Sequence, residues 1–247
     1  ERARINPNSL EPKFKIIGCD FWSNEEAFEA NLPKGGITGI CGSGIIEIVA
    51  ELFISGIVDQ DGKITEEAAL RSERVVKDGR TFSYILHYGE QDIKITQNDI
   101  RAIQLAKAAL YAGIKLLMTH LNIKKVDRIR LAGAFGAHID VKYAIALGLL
   151  PDCKISQISS AGNAAGTGAR ITLLDKKSRN KLENEVRLIE KIETAVEESF
   201  QDEFVAAMAI PHLLDDFSNL ATVFKLPARK QVGAESKARK KKRRRQK

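Results

Sequence analysis

Two segments of the sequence follow one pattern, in which a short strand leads into a turn of small residues and then into a helix. Residues 127–133 (DRIRLAG) run into the turn AGAFG at 132–136, and residues 154–159 (KISQIS) run into AGNAAGTGA at 161–169. Strands that alternate with helices in this way pair in parallel and carry the helices on the sheet. The sequence therefore predicts an α/β fold with a partly parallel sheet.

Glycine is concentrated in three short segments, and two of them are these turns. Ten of the eighteen glycines lie in residues 35–44, 133–136 and 162–168. Glycine lets the backbone approach a ligand closely, and N–H groups at a helix N-terminus attract anions. Ligands of open α/β sheets bind at the carboxyl ends of the strands, where both turns lie. Three such segments favour a nucleotide site, whereas one alone is equally well explained by tight packing of a helix on a strand.

Hydrophobic spacing predicts the other elements. The longest helix covers residues 97–121, with Thr96 and Asp99 arranged as a capping box. Its apolar stripe consists of Ile100, Ile103, Leu110, Ile114, Leu117 and Leu121. The further predictions, in chain order, are a strand at 13–17, a helix at 45–55 that ends at Gly56, a variable polar stretch at 57–80, a hairpin of 81–88 with 92–96, a helix that is capped by Asp140 and ends at Gly148, and helices at about 167–190 and 199–209.

A polar ledge borders the apolar stripe of the long helix. Gln104 and Lys107 are three residues apart and so lie on one face, followed by Tyr111. Such a ledge is suited to hydrogen-bonding a nucleobase or a ribose, and it is also typical of a solvated helix flank. Both interpretations stay open at this stage.

Several nucleotide and hydrolase motifs are excluded by the segment around Gly42-Ser43-Gly44. The chain has no G-x-x-x-x-G-K-[ST] run, and the third glycine of the dinucleotide fingerprint is missing. The nucleophile elbow G-x-S-x-G fails because Cys41 and Ile45 occupy its outer positions. Ser43 is therefore interpreted as a helix-capping or phosphate-contacting hydroxyl rather than a nucleophile.

Neither a metal site nor a membrane span is predicted. Cys19, Cys41 and Cys153 form no C-x-x-C pair, and the histidines show no ligand spacing. No run of 18 apolar residues exists, and no secretory signal opens the sequence. We expect a cytoplasmic protein with reduced thiols, and the initial Glu1 suggests a piece of a longer chain.

Positive charge is confined to the end of the chain. The 39 basic and 32 acidic residues give a net charge of +7, but residues 225–247 hold twelve bases and one acid, a net of +11. Residues 1–224 then carry 27 bases and 31 acids, a net of −4. A nucleic-acid-binding fold spread over the chain is excluded, since its bases would lie on the folded surface. The tail is predicted to be disordered and either merely solvated or an electrostatic docking segment for an acidic partner or, without specificity, nucleic acid.

Six segments together resemble the reductive activators of corrinoid proteins. The resemblance spans roughly residues 1–215 in order. Its segments are GITGICGSGIIEIVAELFISGIVD at 36–59, ITQNDIRAIQLAKAALYAGIKLL at 95–117, DRIRLAGAFGAHID at 127–140, LGLLPD at 147–152, SAGNAAGTGARITLL at 160–174 and FQDEFVAAMAIPH at 200–212.

The resemblance implies a fold, an activity and partners. The fold is an ATPase-like domain of the acetate and sugar kinase, heat-shock chaperone and actin superfamily, which follows a ferredoxin-like iron–sulfur domain. The activity is the ATP-dependent return of Co(II) corrinoid proteins to Co(I) for methyl transfer. The full-length protein would use ATP with Mg²⁺, its iron–sulfur cluster would lie upstream, and the corrinoid would be carried by the partner protein of a methyltransferase system. Homodimerisation is left open.

Within that superfamily, this chain resembles the second lobe without the phosphate-binding hairpins. The implied organisation is a lead-in strand and connector at 1–34, the lobe at 35–215 and a basic tail at 216–247. The chain alone is then expected neither to hydrolyse ATP nor to transfer electrons, and no catalytic residue is assigned. The alternatives are an activator ATPase of the 2-hydroxyacyl-CoA dehydratase type, a small-molecule kinase of the superfamily and a non-catalytic, nucleotide-gated interaction module.

The resemblance also implies nucleotide-binding residues. An adenosine motif corresponds to Gly133, Ala134, Phe135 and Gly136, and Gly136→Val is expected to weaken nucleotide binding by blocking approach of the backbone. A second connecting helix begins at Gly162, Asn163 and Gly166. The remaining candidates are Gln104 and Lys107 on the long helix, together with Gly42, Ser43 and Gly44.

Overall fold

The computed structural model describes residues 1–227 as helices packed around short sheets, with one parallel strand pair. The strands are β1 (Arg2–Ile5), β2 (Pro12–Lys15), β3 (Val75–Asp78), β4 (Thr81–His87), β5 (Ile93–Thr96), β6 (Ile129–Ala132) and β7 (Ile158–Gly162). The helices are α1 (Ala27–Ala30), α2 (Gly42–Ile54), α3 (Glu66–Arg71), α4 (Gln97–His120), α5 (Ala134–His138), α6 (Val141–Leu147), α7 (Ala164–Leu174), α8 (Lys176–Val186) and α9 (Phe200–Ala207).

Helix α2 lies at the centre of the hydrophobic core, because apolar residues cover most of its circumference. Ile48, Val49 and Leu52 have no exposed surface. The antiparallel hairpin of β1 and β2 packs on one side of α2, and α6 packs on another. The predicted helix is confirmed, and Gly56, with φ +77°, follows its end.

The hairpin predicted at 81–96 is confirmed, but the stretch before it is more ordered than the sequence indicates. Strand β4 pairs antiparallel with β5 and, on its other edge, with β3. Residues 57–80 therefore contain α3 and β3, and Ile57, Val58 and Val75 are buried. The prediction of a merely polar stretch is wrong because these apolar residues stand singly or in pairs, without a period that spacing rules detect.

The long helix α4 begins as predicted, but its buried face is rotated away from the predicted stripe. Thr96 and Asp99 form the reciprocal capping box. Leu110, Leu117 and Leu121 are 48%, 52% and 67% exposed, so this part of the stripe prediction is wrong. Helix α9 packs on a neighbouring face, which buries Gln104, Lys107, Ala108, Tyr111 and Leu116 in its place.

The parallel strand pair is confirmed. Strand β6 pairs with β7 from Ile129 opposite Ile158 to Ala132 opposite Gly162. The second strand starts later than predicted, because Ile155–Gln157 forms a turn of 3₁₀ helix. Helix α6 is capped by Asp140 and ends at the left-handed Gly148, as predicted.

The predicted helix at 167–190 is two helices. Asp175 ends α7 and caps α8, because its carboxylate accepts the N–H groups of Lys177 and Ser178. A residue whose side chain competes for backbone N–H groups favours a new helix start over continuation of the old one. None of the helices in residues 1–227 is both long and apolar enough to cross a membrane.

Both predicted end segments contribute to the core where they are described. The lead-in at 1–34 buries Ile5, Leu10 and Phe28. Phe217 and Leu220 are 2% and 1% exposed, and the Asp152 carboxylate accepts the backbone N–H of Leu220. The prediction of a disordered tail from residue 216 is therefore wrong for residues 216–227. Residues 228–247 lie outside the described part of the chain.

Candidate functional site

The parallel pairing of β6 and β7 brings two of the three glycine-rich segments together. Gly133 directly follows β6, and Gly162 is the last residue of β7. The backbone N–H of Gly133 donates to the carbonyl oxygen of Gly162 at 2.8 Å. Helix α5 starts directly after Gly133, and α7 starts after Asn163, which follows Gly162. We call residues 133–136 and 162–166, with this hydrogen bond between them, the glycine edge.

Gly133 and Gly162 are needed for their backbone conformation rather than for packing. Their φ angles are +103° and +60°, in the region that favours glycine. A Cβ atom at either position would have no atom of the described residues within 4 Å, apart from its own residue and its two chain neighbours. The backbone at both turns consequently faces open space, which is the arrangement that a ligand lying against main-chain atoms requires.

Asn163 and Gly166 serve the start of α7. The Asn163 Oδ1 atom accepts the backbone N–H of Gly166 at 2.9 Å and so caps the helix. A Cβ atom on Gly166 would come within 2.7 Å of the Asn163 amide nitrogen. Glycine at 166 therefore makes room for the capping side chain. The predicted contact of Asn163 with a nucleotide would have to be made while this cap is kept.

Gly136 lies in α5, after Ala134 and Phe135 in the first turn of that helix. A Cβ atom on Gly136 would lie 3.2 Å from the Cβ atom of Leu131, on the strand that precedes it. Glycine here lets α5 pack closely on β6. Gly136→Val is therefore expected to disturb this packing, and any loss of nucleotide binding in that variant would not show that the ligand contacts Gly136. Gly133 and Gly162 are better positions for testing the backbone approach.

The third glycine-rich segment is packed at Ser43 and Gly44, whereas Gly42 is exposed. Gly42, Ser43 and Gly44 form the first turn of α2, and Ser43 is 7% exposed. A Cβ atom on Gly44 would lie 3.1 Å from the Ile40 side chain and 3.3 Å from the Glu1 carbonyl oxygen. The capping position is Cys41, which makes no side-chain cap, so the interpretation of Ser43 as a helix cap is wrong. Ser43 and Gly44 therefore have little surface for the predicted nucleotide contact, which stays a prediction for the exposed Gly42.

Gln104 and Lys107 are interior residues, 2% and 1% exposed. The Gln104 amide donates to the carbonyls of Asp61 and Met208 at 3.0 and 2.9 Å. The Lys107 amine donates to the carbonyls of Ala209 and Pro211. These contacts disagree with the prediction that both side chains face a nucleotide. The physical reason is that α9 and the segment after it cover this face of α4.

The sequence interpretation missed a buried ionic cluster that joins β1, α2 and α6. The Glu47 carboxylate, with no exposed side-chain surface, pairs with the guanidinium groups of Arg2 and Arg4. Glu51, one turn later, accepts the Tyr143 hydroxyl at 2.6 Å, and burial raises the pKa of its carboxyl group. The sequence does contain a signal for this cluster, because Glu47 and Glu51 lie four residues apart in a helix that is otherwise mostly apolar.

The clearest cavity lies away from the glycine edge. It measures about 180 Å³ and is lined chiefly by apolar residues, among them Phe53, Val58, Ile210 and Pro211. Within residues 1–227, no group of three or more His, Cys, Asp or Glu side chains is placed to hold a metal ion. The glycine edge, by contrast, is an open ledge of main-chain atoms.

Three comparisons with known proteins agree with one another. Residues 1–221 match the family described as the C-terminal domain of RACo, the ASKHA domain. The corrinoid activation enzyme RamQ of Eubacterium limosum is 36% identical over 201 residues, which cover 76% of this chain and 33% of that protein. A solved structure of a reductive activator for corrinoid, iron-sulfur protein is similar with a TM-score of 0.70 and 33% identity, over 85% of this chain and 32% of that one. The chain thus spans about a third of the length of the relatives it matches.

Proposed function

We propose that this chain is the nucleoside-facing part of an activator of corrinoid proteins. The premise is that the chain belongs to the family of the C-terminal ASKHA domain of RACo. The coarse role, corrinoid activation, is the one that the names of its relatives carry. The finer proposal is that ATP binds at the glycine edge and that the activator returns a Co(II) corrinoid protein to Co(I).

The observation that carries this proposal is the pair of open glycine turns. Gly133 and Gly162 lie side by side at the carboxyl ends of two parallel strands, and neither has a neighbouring atom where a side chain would be. Ligands of parallel α/β sheets bind at this edge. A flat adenosine group can lie against such exposed main chain, since no side chain there holds it off.

The phosphates of ATP would be held by residues outside this chain. The sequence has no P-loop, and the glycine edge as described has no cluster of acids for Mg²⁺. Mg²⁺, and an iron–sulfur cluster that supplies the electron, are accordingly assigned to the rest of the longer activator. The corrinoid belongs to the partner protein as the substrate of the reaction.

The physical role of the nucleotide follows from linkage. Reduction of Co(II) to Co(I) is uphill, so ATP can drive it only by binding more tightly to one conformation of the activator–partner complex than to another. Closure of two lobes on a nucleotide is a suitable two-state element. This chain would contribute the glycine edge as one of the closing surfaces.

Hydrogen exchange of the full-length activator, measured with and without ATP, tests the location of the site. We expect ATP to slow exchange of amides in 133–136 and 162–166 and to leave those of the buried Ser43 and Gly44 unchanged. Reduction of a corrinoid protein, followed by its absorbance, should require ATP in the same preparation. Protection confined to other segments would remove the glycine edge from the site, and ATP-independent reduction would contradict the proposed role.

A further inference from the structure

A chain segment lies along one face of α4 and contacts residues 104–115 of that helix. The segment is residues 208–215, which follow α9, and we call it the strap. Four polar side chains, spaced three to four residues apart on α4, each contact it. They are Gln104, bound to the Met208 carbonyl, Lys107, bound to the Ala209 and Pro211 carbonyls, and Tyr111 and Lys115, both bound to the Asp215 carboxylate.

Lys107 differs from the other three because its amine is enclosed and meets no counter-charge. The residue is 1% exposed, and within residues 1–227 its nitrogen has two acceptors, the carbonyl oxygens of Ala209 and Pro211. A neutral amine has two N–H groups, which these two carbonyls satisfy, whereas an ammonium has three. Burying an ammonium without a carboxylate is costly, so such lysines lose their proton more readily.

The charged groups near Lys107 do not reverse the preference of its buried amine for the neutral form. On α4, Tyr111 donates to Asp215 at 2.7 Å, and Lys115 lies 3.0 Å from the same carboxylate. On the strap, His212 stacks on Tyr111 with 4.7 Å between ring centroids, and its Nδ1 atom accepts the backbone N–H of Asp215. The Asp215 carboxylate of the strap is thus engaged by Tyr111 and Lys115.

The other two elements packed on this face of α4 offer no acid to the amine either. The turn at 59–62 reaches α4 through the Asp61 carbonyl, which accepts from Gln104. Glu203 on α9 is near enough to raise the pKa of Tyr111, after the larger effects of burial and of Asp215. Neither acid is within ion-pair distance of Lys107 in the described residues.

We propose that the strap closes on α4 with the Lys107 amine neutral, so that closing releases a proton and acid favours the open strap. Burial lowers the pKa of Lys107 from its ordinary 10.5 to about 7. An open strap would return the amine to water and to its ordinary pKa. Between these two values the open form binds more protons than the closed form, so opening increases as the pH falls and levels off below about pH 7. This switch does not depend on the proposed nucleotide site.

Hydrogen exchange as a function of pH tests the proposal on the full-length protein. Suitable reporters are the amides of Ile210 and Leu213, which donate to the Gln60 and Ala206 carbonyls, with the Ser55 amide at the end of α2 as the core reference. After correction for intrinsic exchange, the protection of the strap should fall about fiftyfold from pH 9 to pH 7. Lys107→Met, of similar length and without charge, should abolish this pH dependence, whereas Lys115→Met should keep it.

Three outcomes would overturn the proposal. Strap protection that does not change with pH in the unsubstituted protein would mean that closure does not change the protonation of Lys107. Protection equal to that of Ser55 would mean that the strap opens only when the whole core unfolds. A pH dependence that survives in Lys107→Met would assign the proton to another group. If the methionine variant does not fold, Lys107→Arg, which is charged in both states, should likewise lose the dependence.

Discussion

Helices α2 and α7 both begin at glycine-rich segments, yet the core encloses one and leaves the other exposed. Ten of the thirteen residues of α2 are buried, whereas α7, which is wholly within the described residues, has none that is buried. The reason lies in what packs on each helix. Strand β1 and helix α6 pack on α2, whereas α7 contacts chiefly α8, and Leu173 and Leu174 in its ARITLL run are exposed. The same local signature therefore starts a core helix in one place and an open ledge in the other.

The comparison shows that glycine serves two purposes in this chain. Gly44 is glycine because Ile40 and the backbone of Glu1 occupy the space of a side chain. Gly133 and Gly162 are glycine because of their φ angles, and the space beside them is open. Replacing a glycine of the first kind should reduce stability, and replacing one of the second kind should chiefly affect a ligand.

The largest effect is expected from Gly148→Ala in the core. Gly148 has φ +75°, and its added Cβ atom would overlap the carbonyl oxygen of Pro211, which is backbone and cannot turn aside. We expect a loss of at least about 3 kcal/mol in the free energy of unfolding, measured by urea denaturation.

The matched control for Gly148→Ala is Gly113→Ala in α4. Position 113 has open space and an ordinary helical backbone, so the added methyl group should stabilise the protein by about 0.5–1 kcal/mol. A loss below about 1 kcal/mol for Gly148→Ala would mean that α6 and the strap separate easily.

The second largest effect is expected at the ionic cluster. Glu47→Gln keeps the shape of the side chain but removes the charge that faces Arg2 and Arg4 inside the protein. We expect a loss of about 2–4 kcal/mol in the free energy of unfolding, because two guanidinium groups lose their counter-charge. The control is Glu11→Gln. Glu11 pairs with Arg74, but its side chain is 55% exposed, so this substitution should change the free energy of unfolding by less than about 1 kcal/mol. Equal effects in the two variants would show that α2 owes its stability to apolar packing alone.

Much of the fold was predictable from local patterns, whereas the face that α4 buries was not. The capping box of α4, the hairpin of β4 and β5 and the left-handed Gly148 are determined by neighbouring residues, and all three were predicted. The burial of Gln104 and Lys107 depends on α9, about a hundred residues away in sequence. Spacing along one helix identifies its polar residues but does not show which distant element will cover them.

The candidate site divides in the same way. The pairing of Gly133 with Gly162 follows from two strand–turn–helix units in succession, which local pattern can detect. Gly44 lies in a segment of similar composition, and only the position of Ile40 and Glu1 shows that it is packed. A glycine count could not distinguish these cases, since the deciding atoms belong to other parts of the chain.

A smaller effect on stability, with a clear one on binding, is expected from Gly162→Ala. The alanine would keep φ near +60° at a cost of about 1–2 kcal/mol, and its methyl group would project into the open space of the glycine edge. We expect the affinity of the full-length activator for ATP, measured by calorimetry, to fall about tenfold or more, which corresponds to about 1.4 kcal/mol. Gly168→Ala, inside α7 with open space around it, should leave the affinity unchanged. Unchanged affinity in both variants would leave the glycine edge without a role in binding.

The smallest effect is expected at the helix starts themselves, where the comparison between α2 and α7 is most direct. Asn163 caps α7 through the Gly166 N–H, whereas Cys41, at the same position of α2, makes no side-chain cap. Asn163→Ala should therefore cost about 0.5–1 kcal/mol, seen as faster hydrogen exchange in the first turn of α7. Cys41→Ala should leave exchange in α2 within about twofold, because burial and not a cap holds that helix. If Cys41→Ala speeds exchange in α2 more than Asn163→Ala speeds it in α7, the relative stability of the two helix starts is reversed. The Cys41 thiol, which lies 3.2 Å from the Ser43 hydroxyl, would then support the start of α2.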